Sequence, residues 1–236
     1  MQSSGDLLVT GQWERGLIGL IEHASSHTVE PRKDLVREGE RPASISVILE
    51  GWVVRYKLLA DGNRQILSLL LPGDVCQANA IVRERMDHAL GALNRVRYAE
   101  IDCDILEGQI RRSTETFRTV WRTSLVNASI QREWTANIGQ RRGIARIAHL
   151  LCEIHARLDA TSTMRFDGFE FPMTQADIGA ATGLTPVHVN RVLQKLRQMG
   201  LIRLAQRWLD IVDIDRLRKI AMFDPAYLYL GEVDHS

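Results

Sequence analysis

Hydrophobic and polar positions change their period twice along this chain. Between Thr28 and about Ile101 short apolar runs, at Ile45 to Leu49, Trp52 to Leu59 and Ile66 to Leu71, are separated by turn signals at Glu38-Gly39, Glu50-Gly51, Asp61-Gly62-Asn63 and Pro72-Gly73-Asp74. That pattern predicts the strands of an all-β sandwich or barrel. In one of them Trp52, Val54 and Tyr56 alternate with Val53, Arg55 and Lys57, which gives an apolar and a partly basic face. A later pair, Ala89 to Leu93 and Val96 to Ile101, closes the set, and a short helix from Leu17 to Ala24 precedes it.

After Ile101 the period becomes helical. A short helix is expected from Asp104 to Ile110, then one long helix from Ser113 to about Gln140 with an apolar stripe at Phe117, Trp121, Leu125, Ala128, Trp134 and Ile138. A narrow seam on so long a helix predicts burial against a partner helix, here in a parallel homodimer. Packing on the chain's own β domain is the other use of such a helix, and different faces can serve both. Gln140-Arg141-Arg142-Gly143 reads as a hinge, and Ile144, Ile147, Ala148, Leu151, Ile154 and Leu158 as one face of the next helix. A strand pair around Met164 to Pro172 follows.

The stretch TQADIGAATGLTPVHVNRVLQKLRQMGL, Thr174 to Leu201, carries the clearest local instructions. Thr174 with Asp177 three residues on is an N-cap signal for a helix from Gln175 to about Thr182. Gly183 allows the sharp turn, Thr185 caps a second helix, Pro186 takes its first position, and Gly200 closes it after about Met199. Val189, Val192, Leu193 and Leu196 share one side of that helix, while Ile178 and Leu184 complete the contact between the two. Gly179 permits close approach of the axes. The outer side carries His188, Asn190, Arg191, Gln194 and Lys195 behind a tip of Thr185, Pro186 and Val187. This is a helix-turn-helix whose exposed face suits base edges and phosphates in a major groove. A β wing is expected next, Leu201 to Leu204 and Trp208 to Val212 flanking Ala205-Gln206-Arg207, then a last helix from Ile214 to Met222.

Composition narrows the picture. The chain has 236 residues, 45% hydrophobic, and a formal net charge of +1, so contact with DNA must come from a local patch. Arg191, Lys195, Arg197, Arg203 and Arg207 supply one. No apolar run is long enough for a membrane helix and the N-terminus lacks a signal-peptide pattern, which predicts a cytoplasmic protein. Cys76, Cys103 and Cys152 are scattered, with no spacing for a disulfide framework, zinc or iron–sulfur site, so buried reduced thiols are expected. His23 and His27 stand four apart but have no third ligand nearby, and no metal is expected. An enzyme on a cupin-like β-roll would need a His and carboxylate cluster, and no HxH spacing occurs between Thr28 and Ile101.

A β-roll with this turn pattern, then a long helix, then a winged helix-turn-helix, resembles the Crp/Fnr family of bacterial transcription regulators. The most specific parts are REGE at 37–40, ILEGWVVRY at 48–56, LPGD at 71–74 and TQADIGAATGLTPVHVNRVLQKLRQMGLI at 174–202. The resemblance implies an α+β chain: a double-stranded β-helix sensor domain over 1–110, a dimerisation helix and hinge over 111–142, and a winged helix-turn-helix domain over 143–236. It implies a homodimer on a palindromic operator, with RNA polymerase a further candidate partner.

By the same resemblance the base contacts fall to Pro186, Val187, His188, Asn190 and Arg191, with Arg191 set for a bidentate contact to guanine. Thr174, Gln175, Thr185, Lys195 and Arg207 are placed on phosphates. Pro186 and Val187 replace a charged reading pair, so the operator should differ from that of relatives. Effector contacts fall at Ala78, Met86, Asp87 and His88. Cyclic-nucleotide-binding relatives carry there a Gly-Glu pair for the ribose and an arginine for the cyclic phosphate, for which Gln77-Ala78 and His88-Ala89 are poor replacements. The expected effector is therefore an unidentified small molecule, a plain turn with no ligand being the competing reading, and no resident cofactor is expected. A cyclic-nucleotide-responsive regulator and a ligand-binding module without DNA binding are the alternatives.

Overall fold

A computed structural model of the chain describes residues 15–82, 85–161 and 168–230. They form two compact units, one of residues 15–55 and 69–127, the other of 56–68 and 128–230. The long helix is not a separate piece, because its first half packs with one unit and its second half with the other.

Most of the expected β-roll lies in the first unit. Strands β1 (Ser25–Val29), β7 (Val96–Asp102) and β3 (Ser44–Glu50) form one antiparallel sheet, in the order β1-β7-β3. A second sheet has the order β2-β6-β4-β5, from Asp34–Val36, Ala89–Ala92, Val53–Leu58 and Arg64–Leu70. Alternation along β3 explains how the layers stack. Ile45 and Val47 point into one apolar cluster with Leu17, Ile21, Ala80, Cys103 and Leu106, under the helices α1 (Ile18–Glu22) and α2 (Cys103–Arg112). Ile48 points the other way, into a cluster with Val36, Val53, Leu70, Cys76, Met86, Leu90, Ala92 and Val96 drawn from both sheets.

Helix α1 is shorter than expected. It ends at Glu22, so His23 and His27 do not share a helix face: His23 Nδ1 meets Gly19 O at 2.8 Å, and His27, on β1, lies 3.0 Å from Glu100. The cysteines are buried and free. Burial pushes the thiols of Cys76 and Cys152 up to about 12.

Helix α3 (Thr114–Gln140) carries two faces. Thr116, Thr119, Thr123, Val126, Ile130, Trp134 and Asn137 are buried, while Phe117, Trp121, Leu125 and Ala128 are exposed. In the second unit α4 (Gly143–Ala160) is the central helix, buried on most sides and packed against α5 (Gln175–Thr182), α6 (Pro186–Gln198) and α7 (Ile214–Ala221). A three-stranded sheet, β8-β10-β9 (Gly168–Glu170, Trp208–Ile211, Ile202–Ala205), supplies the wing. Of the strand pair expected around Met164 to Pro172, β8 is present, and residues 162–167 lie outside the described residues. Residues 1–14 lie outside them too.

Candidate nucleic-acid interface

The head is assembled by short-range signals that the chain states locally. Thr174 and Asp177 form a reciprocal capping box at the start of α5: the Thr174 hydroxyl accepts from Asp177 N at 3.1 Å and the Asp177 carboxylate accepts from Thr174 N at 2.9 Å. Gly183 ends the helix in the left-handed region, at φ +66°. Leu184 N donates back to Gly179 O at 3.2 Å, and a Cβ on Gly179 would stand 2.5 Å from Leu184 O. Only a residue without a side chain fits that crossing. Thr185 then caps α6 through His188 N, with Pro186 at the first position, where a missing N–H costs nothing.

Burial separates the two faces of α6. Val189, Val192, Leu193 and Leu196 are buried, as is Ile178 on α5. Pro186, Val187, His188, Arg191, Gln194 and Lys195 are exposed, Val187 at 71%, and Asn190 is half-buried. Around the helix axis Val187, Arg191 and Gln194 stand opposite the buried stripe, with Asn190 and Lys195 flanking them. His188 lies on the shoulder: a Cβ on Gly143 would be 2.7 Å from its Nε2, so the ring leans toward the start of α4.

The wing presents the second set of cations. Gln206 and Arg207 form the two-residue turn between β9 and β10 with φ of +50° and +62°. Both positions favour glycine or asparagine, so this turn costs backbone strain and keeps two long polar side chains exposed at its tip. Arg207 O is fixed by Phe171 N at 2.7 Å. Thr174, Gln175 and Thr185 are exposed at the starts of their helices, and Arg203 is exposed on β9. The five expected phosphate residues and all five expected base-contact residues therefore lie at or near the exposed surface of the head, Asn190 half-buried among them.

Beneath that surface sits a polar network that the sequence reading missed. Glu133 on α3 accepts from Arg141 Nη2 at 2.6 Å and lies 3.1 Å from His149 Nε2. Arg141 also donates to the carbonyls of Ala221 and Met222, and Arg146 to those of Arg141 and Thr182, so the hinge segment is tied on both sides. Glu153 is fully buried on α4 and accepts from Trp134 Nε1 at 2.9 Å and the Tyr227 hydroxyl at 2.8 Å. Burial raises the Glu153 carboxyl, against the lowering pull of Arg157. Burial lowers His149 to about 4, and the positive charge of Arg141 adds to that effect, against the raising influence of Glu133. Trp134 is thus an interior hydrogen-bond donor and not part of an outer stripe. Ile138 also leaves that stripe: Gly183 sits against it, its Cγ2 3.4 Å from an added Cβ.

The four positions expected to meet an effector in the β-roll divide by environment. Ala78 begins a short 3-10 turn (Ala78–Val82) and packs partly buried on the Ile45 cluster. Met86 is 1% exposed and belongs to the apolar cluster between the sheets. Asp87 is exposed, and His88, 8% exposed, holds its Oδ1 at 2.6 Å through Nδ1. The neighbouring Gln77 turns inward and donates to Ser44 O and Ser46 Oγ.

Residues 145–220 match the Crp-like helix-turn-helix domain, and residues 26–113 match the cyclic nucleotide-binding domain. A probable transcriptional activator of Rhizobium leguminosarum is 27% identical over 218 residues, 90% of this chain and 88% of that protein. The nitrogen fixation regulation protein FixK of Bradyrhizobium diazoefficiens is 27% identical over 202 residues, 85% of this chain and 81% of its own. The solved structure of FixK2 from Bradyrhizobium japonicum shares the fold at a TM-score of 0.76, with 24% identity over 84% of this chain and 96% of that one.

Proposed function

Because the chain belongs to the Crp/Fnr family of DNA-binding transcription regulators, we propose that it acts as a homodimer whose two heads read the half-sites of a palindromic operator. One observation carries the dimer. Phe117, Trp121 and Leu125, spaced four apart on α3, are 49%, 59% and 54% exposed, and the first two rings stack at 6.2 Å. Large apolar side chains aligned on one helix are costly in water and ask for a partner of matching shape. A second copy supplies the same stripe. Ala128 continues it; Trp134 and Ile138 do not.

In this reading Pro186, Val187, Asn190 and Arg191 meet base edges, with Val187 against a thymine methyl and Arg191 on guanine. His188, on the shoulder, serves the flank of the groove. Thr174, Gln175, Thr185, Lys195 and Arg207 hold phosphates and set the register. RNA polymerase is the further partner. The effector is a small molecule other than a cyclic nucleotide. That part rests on Ala78, which offers no acceptor to a ribose, on His88, already engaged with Asp87, and on Met86, packed in the core.

Selection of bound sequences from random duplex DNA, with and without cell extract, tests the proposal. The expected product is an inverted repeat whose half-sites are centred about one helical turn apart. Enrichment of a single unrepeated site would contradict the dimer, and no enrichment under either condition would contradict DNA reading altogether.

A further inference from the structure

The second unit contains a piece that neither the domain matches nor the sequence reading assigns to the head. Residues 56–68, the tip of the β4–β5 hairpin, fall in the same compact unit as the helix-turn-helix. Three side chains fasten it. Arg64 Nη2 meets Asp177 Oδ1 at 2.5 Å, Gln65 Nε2 donates to Ala180 O at 2.7 Å, and Gln131 Nε2 on α3 donates to Leu67 O at 2.6 Å. Arg64 is also laid over the Tyr56 ring, 5.1 Å from its centre, so its guanidinium is held on two sides.

The target of Arg64 is what gives the contact meaning. Asp177 is the capping residue of α5, its side chain only 4% exposed. Its Oδ2 is engaged by Thr174, through the backbone N–H at 2.9 Å and the hydroxyl at 2.7 Å, and its Oδ1 by Arg64. One buried carboxylate therefore joins the hairpin to the turn that presents Thr174 and Gln175. A buried carboxylate is tolerated only when charge and hydrogen bonds compensate it, and Arg64 brings the charge.

Resting on the assignment of the head as the DNA reader, we propose that the β4–β5 hairpin is a working part of that reader and that Arg64 is a positioning residue for its phosphate contacts. By holding Asp177, Arg64 fixes the capping box and thereby where Thr174 and Gln175 meet the backbone of the duplex. Arg64 itself does not touch DNA. Its two-sided grip on Asp177 and Tyr56 leaves its charge spent within the protein.

The test uses the full chain, an operator fragment from the selection described above, and the variants Arg64→Met, Arg64→Lys, Asp177→Asn and the double variant Arg64→Met/Asp177→Asn. Arg64→Met should weaken operator binding about tenfold, and unrelated duplexes in the same proportion, because register on the phosphates is shared by all sequences. Its salt slope should stay that of the wild type, since no phosphate contact is removed. Arg64→Lys should recover part of the loss. The double variant should bind no more weakly than the worse single variant, as expected of residues acting through one contact. Unchanged or tighter binding by Arg64→Met would overturn the proposal. So would a salt slope lowered by about one, which would make Arg64 a direct phosphate contact, or additive losses in the double variant. If the wild-type chain binds no duplex, it is the DNA-reading assignment that fails.

Discussion

The interior of the β-roll and the outer face of α6 answer opposite demands. Between the sheets, Val36, Ile48, Val53, Leu70, Met86 and Leu90 exclude water and touch one another. On α6, Val187, Arg191, Gln194 and Lys195 face solvent with their polar or apolar ends unspent by packing. An interior position is judged by volume, and many side chains of similar size satisfy it. A reading position is judged by the direction of a donor, an acceptor or a methyl group, and few alternatives satisfy it. The comparison therefore predicts that interior changes alter stability and leave DNA affinity per folded molecule alone, whereas outer-face changes do the reverse.

The strongest way to break this is Met86→Ala. Met86 is 1% exposed in the apolar cluster, so the truncation should cost about 2–5 kcal/mol in chemical denaturation. DNA affinity of the folded fraction, measured at low denaturant, should not move. A variant of full stability with altered effector dependence would instead make Met86 a ligand contact and dissolve the distinction.

Interior chemistry within the head extends the same rule from volume to charge. His149 is held neutral, its imidazolium form disfavoured to about 4 by burial and by Arg141. The unfolded chain takes up that proton near the ordinary histidine value of about 6.5, so between roughly pH 6.5 and pH 4 the unfolded state binds more protons. Stability should therefore fall as pH falls through this window, by on the order of 3 kcal/mol for this residue. The raised carboxyl of Glu153 acts in the opposite sense, contributing stability that is lost as pH rises. Comparing denaturation of the wild type and His149→Gln at pH 7 and pH 4.5 isolates the histidine: the variant should lose less on acidification. Equal losses would place the acid sensitivity elsewhere.

Legibility in the sequence follows the same line. The head was readable because its instructions are local. Thr174 and Asp177 lie three residues apart, Gly183 and Thr185 two, and both helices of the motif occupy the spans expected from them, α5 over Gln175–Thr182 and α6 from Pro186. The β-roll strands were readable from turns and alternation. What stayed hidden depends on contacts distant along the chain. Arg64 reaches Asp177 and Tyr227 reaches Glu153, and no period in either neighbourhood announces those partners.

Amphipathic reading also overcounted the outer stripe of α3. Trp134 and Ile138 are apolar and helically spaced, but Trp134 is turned in by a hydrogen bond to Glu153 and Ile138 by the turn at Gly183. His188 is exposed as well, but its helical position places it at the border of two faces, and the close approach of Gly143 decides which way its ring leans. Charged and polar side chains set among apolar ones on α4, Glu153 and His149 among Leu150, Leu151 and Ile154, were the available sign of the inner network. An isolated charge on an apolar face implies a partner but does not name it.

Arg191→Ala, measured on the selected operator and on operators altered one base pair at a time, tests most directly whether the outer face of α6 reads sequence. Arg191 is exposed on the side of the helix opposite the buried stripe. The substitution should cost about 1–3 kcal/mol on the selected site and abolish preference at a single base pair, with unfolding unchanged. Unchanged affinity together with undiminished preference at every base pair would contradict the placement of α6 in the major groove.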